Sequence, residues 1–347
     1  MRRSTPVLLA AAVAASVLAL PGATPEASAT APLVELPVTF TVQNTNTTSV
    51  PCTSDGETYE VKGHIVGVQG DVEPGAVDTA TLYLHAVNFG EYYWRIPVDG
   101  YDYASEQAYN GHVSVTIDRL GYGNSGQPDA AQGTCFGSEA DVAHQIVDQL
   151  KSGDYTVDGG EPLTFSKVFV GGSSVGAMTA NIASFTYGNI DGLINFGFGD
   201  FAVGPFAFRE YNEARGRCFS GGDSSSPGAT PFAKDDQEQF HYFSAPEAVR
   251  AALPASAPDP CGQLESIPQA IGADMEHLNE IDVPVLLIFG DKDEAFPPPA
   301  GQITADRYSG SPSVTLFEPK DTSHFPLVEA TQDETVEVVD EWLKEHG

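Results

Sequence analysis

The 347-residue chain is short of cations: 16 Lys and Arg face 48 Asp and Glu, for a formal net charge of −32. A surface this acidic repels the phosphates of nucleic acids and of anionic membranes, so neither is expected as a partner. Cysteine is scarce too. Its four copies, Cys52, Cys135, Cys218 and Cys261, include no Cys-x-x-Cys spacing, which argues against a thiolate metal clip or a dithiol redox pair. Membrane-length apolar runs are missing: the run Val7–Leu20 has 14 residues, and a bilayer takes about 20. No internal repeat is found. Hydrophobic residues at 41% and aromatics at 10% suffice for a buried core, so disorder is not the expectation.

What is present points first to export. Arg2 and Arg3 precede the apolar run, and "EASA" at 26–29 offers a cleavage site with Ala27 and Ala29 at its two small positions. Residues 1–29 therefore read as a signal peptide and 30–347 as a secreted, extracellular domain with no stable membrane anchor. In an oxidising compartment four cysteines are expected to form two disulfides. Sequence does not choose among the three pairings. Cys218 with Cys261 and Cys52 with Cys135 is the favoured set, because the first two share one irregular segment and the others lie in the N-terminal half. The acidity reads as solubility outside the cell.

Residues 30–60 carry Thr-rich, alternating stretches that suit edge strands or loops, and "VKGHIVGV" at 61–68 is a strand. From residue 79 the pattern becomes short apolar runs: 79–87, 112–121, 165–174, 190–199, 283–291 and 313–319. Amphipathic helices are expected at 138–153, 174–188 and 333–347, the last with Val336, Val339 and Leu343 on one face. Continuous apolar strands alternating with helices imply an α/β fold, mainly a parallel sheet covered on both faces. Residues 200–277 break that rhythm. They are too long for a simple connection and read as an inserted cap or lid over the C-terminal edge of the sheet.

In an open α/β sheet, sites form at the C-terminal ends of strands. "KVFVGGSSVGAMTA", residues 167–180, crosses such an end, and Gly172-Ser173-Ser174-Val175-Gly176 fits G-x-S-x-G between a strand and a helix. Only Ser174 has Gly two residues before and two after, so Ser174 rather than Ser173 is the expected nucleophile. A serine hydroxyl needs a base, and the base an orienter, in the chain order Ser, acid, His. His324, in the loop after the last strand, is the expected base. Asp293 is preferred as orienter over Asp291, which reads as a turn-capping residue, and over Asp200. Two backbone N–H groups should hold the oxyanion: that of Val175, and that of Val87 or Ala86 in the loop after the strand at 79–87. His85 reads as a residue holding that loop.

Four stretches in order, "LYLHAVNFGEYYW", "VTIDRLGYGNSG", "VFVGGSSVGAM" and "PVLLIFGDKD…DTSHFP", resemble the α/β-hydrolase family. "IDRLGYGNSG" is similar to its Asp-x-x-Gly-x-Gly-x-Ser segment, with Asp118, Gly121, Gly123 and Ser125. The resemblance runs from about residue 60 to the end, apart from the insertion. It implies a Ser174–His324–Asp293 triad, a capped sheet and neither cofactor nor metal. The chain departs from the family pattern at Ala86, where the family usually has Gly after the His. The family also holds epoxide hydrolases and dehalogenases, which need Asp at the nucleophile position; Ser174 argues against both.

The expected activity is that of a serine hydrolase on carboxylic esters, carboxylesterase- or lipase-like, with a small-molecule substrate that has an apolar part. An aminopeptidase or amidase with the same triad is the rival within hydrolysis. It would need an acid in the insertion to hold a substrate amine, with Glu210, Glu213 and Glu238 as candidates. A catalytically silent binding protein on the same scaffold is the rival outside it, and the intact Ser, His and acid set argues against that.

Overall fold

The computed structural model describes Met1 and residues 31–347. The expected signal peptide at 1–29 lies outside the described residues, Met1 apart. Nine strands form one sheet: β1 (Leu33–Gln43), β2 (Thr58–Val68), β3 (Thr79–Leu84), β4 (Val113–Ile117), β5 (Thr156–Val157), β6 (Lys167–Ser173), β7 (Gly192–Phe196), β8 (Val285–Ile288) and β9 (Val314–Phe317). Their order is β9-β8-β7-β6-β3-β4-β2-β1-β5. From β9 through β4 all neighbours run parallel, and the β2, β1 and β5 edge is antiparallel.

The residue patterns explain the two halves. Strands β4, β7 and β8 are buried along their whole length, as strands covered on both faces must be. In β1, Val38, Phe40 and Val42 are buried while Thr39 and Thr41 alternate outward, which suits a strand with one face on the core.

Nine helices are described: α1 (Tyr103–Tyr109), α2 (Phe136–Ser152), α3 (Val175–Tyr187), α4 (Pro205–Phe219), α5 (Gln237–His241), α6 (Glu247–Ala252), α7 (Cys261–His277), α8 (Ala300–Ala305) and α9 (Gln332–His346). Helices α2 and α3 lie side by side, as do α1 and α9. Phe169 of β6 meets Trp342 of α9 edge-on. The alternation of side chains along β6 then turns Val168 and Val170 to the opposite face, where α3 packs. The α/β reading is borne out, strand by strand and for all three expected helices. Helix α1, a seven-residue turn of chain, was not expected.

Between β7 and β8 the chain makes the long excursion that carries α4 to α7. A two-residue ladder inside it joins Ala229–Thr230 to Asp259–Pro260. Cys218 is bonded to Cys261, joining α4 to α7, and Cys52 is bonded to Cys135 at the start of α2. Both are the favoured pairs. Among the described residues no helix is long and apolar enough to cross a membrane.

Candidate active site

Ser174 sits on the turn between β6 and α3 with φ +51°, a left-handed value uncommon for a side-chain-bearing residue. The flanking glycines make the turn possible. A Cβ on Gly172 would run into the backbone of Gly176 and Ala177, and one on Gly176 into the carbonyl of Leu84 at the end of β3. Ser173 is a strand residue paired with Phe196 of β7 and wholly buried. Ser174 instead lies on the wall of a cavity of about 280 Å³.

His324, in the loop between β9 and α9, lies on the same wall. Its Nδ1 is 2.8 Å from Asp293 Oδ2. The other oxygen of Asp293 accepts from the N–H groups of Ala295 (2.7 Å) and Phe296 (3.0 Å), which locks the carboxylate in the loop after β8. His324 Nε2 is buried and has no hydrogen-bond partner among the described residues. Asp291 points elsewhere: it pairs with Lys292 at 2.9 Å and accepts from Thr322 N at 3.4 Å. Asp200, just after β7, lines the cavity without bonding His324.

The β3–α1 loop contributes to the lining as well. Val87 lines the cavity with Ser174 and Val175, whereas Ala86 does not. Neither the Val87 nor the Val175 N–H has an acceptor among the described residues. His85 Nε2 accepts from the Arg119 N–H (3.1 Å), so its proton sits on Nδ1, which donates to the Ala86 carbonyl (2.9 Å). Burial, then the nearby Arg119 charge, holds this imidazole well below its usual range and so neutral.

The excursion between β7 and β8 supplies much of the remaining wall, including Phe208, Phe232, Phe240, Ile267 and Ile271. Phe240 stacks on the His324 ring at 5.0 Å. Beside Phe240, His241 is pushed down to about 3 by burial and then by the adjacent His324, so it stays neutral. Glu329 ties this segment to the histidine loop. Its carboxylate accepts from the N–H groups of Phe243 (2.8 Å), Ser244 (2.6 Å) and Ser323 (3.2 Å).

None of the three glutamates considered from sequence lines the cavity. Glu210 pairs with Arg209, Glu238 with Arg250, and Glu213 lies exposed. The acid that does is Asp200, and behind it stands the fully buried Asp274 of α7, which accepts from Asn181 Nδ2 at 3.0 Å. Burial pushes Asp200 up to about 7. It pushes Asp274 well above the carboxylate range, and the charge of Asp200 adds to that rise. Both carboxyls therefore keep their protons to higher pH than ordinary carboxyls do. Sequence gave no sign of this pair, since its members are 74 residues apart and meet only in the fold.

Comparison with known proteins places the fold. A family model described as "Alpha/beta hydrolase family" matches residues 82–338. No curated protein sequence matches the chain. Among solved structures, a thermophilic esterase from Thermogutta terrifontis is similar at a TM-score of 0.59 and 17% identity, over 89% of this chain and 100% of that one. A monoacylglycerol lipase from Paleococcus ferrophilus is similar at 0.58 and 16% identity, over 78% and 97%. A bromoperoxidase from Bacillus anthracis reaches 0.56 at 18% identity, over 88% and 99%. At such identities these likenesses establish the fold and leave the reaction to the site itself.

Proposed function

The chain belongs to the alpha/beta hydrolase family, and from that premise we propose that it is an exported serine hydrolase that cleaves carboxylic esters. Ser174 Oγ attacks the ester carbonyl carbon while His324 Nε2 takes its proton. The oxyanion that forms accepts hydrogen bonds from the N–H groups of Val87 and Val175. Asp293 holds His324 through Nδ1 and favours the imidazolium. That imidazolium then protonates the departing alkoxide as the C–O bond breaks. Water, deprotonated by His324, attacks the acyl-enzyme, and the proton returns to Ser174 as the acid leaves.

One observation carries this reading: the buried His324 ring, with Nδ1 on Asp293 and Nε2 left without a partner among the described residues, on the wall that also holds Ser174. The aromatic and aliphatic lining supports an apolar acyl or alcohol group in the substrate. Residues 200–277 act as a cap over the site. The two disulfides support export. Turnover of short and long p-nitrophenyl esters, set beside aminoacyl anilides, tests the reading. Ester cleavage well above anilide cleavage is expected, and inactivity on every substrate would sink it.

Asp200 favours a second reading, an amidase or peptidase that holds a substrate amine. Its carboxyl is the acidic group on an otherwise mostly apolar wall, and an ammonium would satisfy it. Faster cleavage of aminoacyl anilides than of alkyl esters, lost in Asp200→Asn, would support that reading over the first.

A further inference from the structure

Val87 lies between two peptide units, and each is tethered by a different side chain. The Ala86–Val87 unit is held at its carbonyl by His85 Nδ1 (2.9 Å). Because a planar trans peptide points its C=O and N–H in opposite directions, holding the Ala86 oxygen also aims the Val87 N–H. The Val87–Asn88 unit is held at its N–H by Asp259 Oδ1, 2.9 Å away and 171 residues further along the chain.

Asn88 needs such a hold. Its φ of +65° puts a non-glycine residue in the left-handed region, which is strained relative to the right-handed one. The long excursion supplies most of its partners. Its side-chain oxygen accepts from Phe232 N (2.7 Å) and its carbonyl from Ala257 N (2.8 Å). Its amide reaches His241 Nε2 at 3.5 Å. Asp259 is the hub of this arrangement. It is fully buried, and its oxygens accept from Asn88 N, Tyr122 OH (2.9 Å) and Phe232 N (2.8 Å). Two residues on, the Cys218–Cys261 disulfide fixes the chain that presents it.

We propose that Asp259 is a positioning residue for the oxyanion hole. By holding the Asn88 N–H it fixes the peptide on the far side of Val87 and, with His85 fixing the near side, keeps the Val87 N–H aimed, so the excursion between β7 and β8 is a permanent part of the catalytic frame as well as a wall of the cavity. A buried carboxylate at this place exchanges no proton with substrate and touches no reacting atom. It acts through Val87 alone. This rests on the ester-cleaving reading above.

The test is Asp259→Asn, read by steady-state kinetics on a soluble p-nitrophenyl ester and by binding of an alkyl trifluoromethyl ketone, whose hemiketal adduct puts an oxyanion in the hole. Complete loss of an oxyanion donor lowers kcat by roughly a hundredfold or more, so a misaimed one should lower it about tenfold. KM should stay within about twofold, since ground-state binding is untouched. Ketone affinity should fall by the same factor as kcat/KM. A folded variant with unchanged kcat, or one whose KM rises while ketone affinity holds, overturns the proposal. A second pair decides the matter if Asp259→Asn does not fold. Asn88→Ala should lower kcat and Asn88→Gly should restore most of it, because glycine adopts φ +65° without strain. Equal kcat in both variants contradicts the proposal. Inactive wild-type protein would defeat the ester-cleaving reading itself, a separate outcome from an active wild type with an indifferent Asp259→Asn.

Discussion

His324 Nδ1 lies 2.8 Å from Asp293 Oδ2, and Asp293 is braced from behind by the N–H groups of Ala295 and Phe296. Asparagine at 293 would keep the turn and the volume but turn an N–H toward His324, favouring the wrong tautomer. Asp293→Asn is therefore expected to lower kcat by about four orders of magnitude. Asp291→Asn breaks only surface ion pairs, with Lys292 and Lys320, and should change kcat by no more than roughly twofold. Parallel kinetics of the two variants on one ester check this; a large loss at 291 with none at 293 would reassign the orienter.

The apolar wall sets a chain-length rule. Each buried methylene contributes about 0.8 kcal/mol, and 1.4 kcal/mol is tenfold. For p-nitrophenyl esters from acetate upward, kcat/KM should rise by roughly fourfold per added methylene until the cavity is filled, then level off or fall. A flat series would mean that the acyl chain does not enter the Phe-lined space.

Stability should fall as pH rises through neutrality. Burial raises Asp200 to about 7 and Asp274 still further from its usual range, so between the ordinary carboxyl range and about 7 the folded chain holds a proton that the unfolded chain has released. Its contribution is full below the unfolded value and is lost as pH climbs through the folded one. Urea midpoints measured from pH 5 to pH 8 should decline. In Asp274→Asn, whose amide can donate to an ionised Asp200, the decline should flatten. Identical slopes in both proteins would remove this carboxyl pair from the account.

Much of the frame was legible in the sequence for a physical reason: buried parallel strands are continuous apolar runs, and the nucleophile turn demands glycine at 172 and 176. The same spacing favours Ser174 over Ser173, and Ser173 lies buried in the sheet. The loops that carry Asp293 and His324 could be located because they follow strands. What escaped was everything defined only by distant contact. Asp259 and Asn88 look like ordinary turn residues until 171 residues of chain fold back to join them. The Asp200–Asp274 pair was hidden in the same way, whereas Glu210, Glu213 and Glu238, visible as acids of the insertion, are left off the cavity wall by the fold. Helix α1 was missed because seven residues carry too little periodicity to register.

The central claim is that Ser174 carries the chemistry, and the most direct measurement of it is the rate of p-nitrophenyl ester hydrolysis by Ser174→Ala beside Ser173→Ala. If the triad works as a unit, Ser174→Ala should lose about six orders of magnitude in kcat, while Ser173→Ala keeps its rate within roughly tenfold, the effect of a buried hydroxyl lost from a strand. A Ser174→Ala protein that retains most of its rate, with the wild type active, would contradict the account.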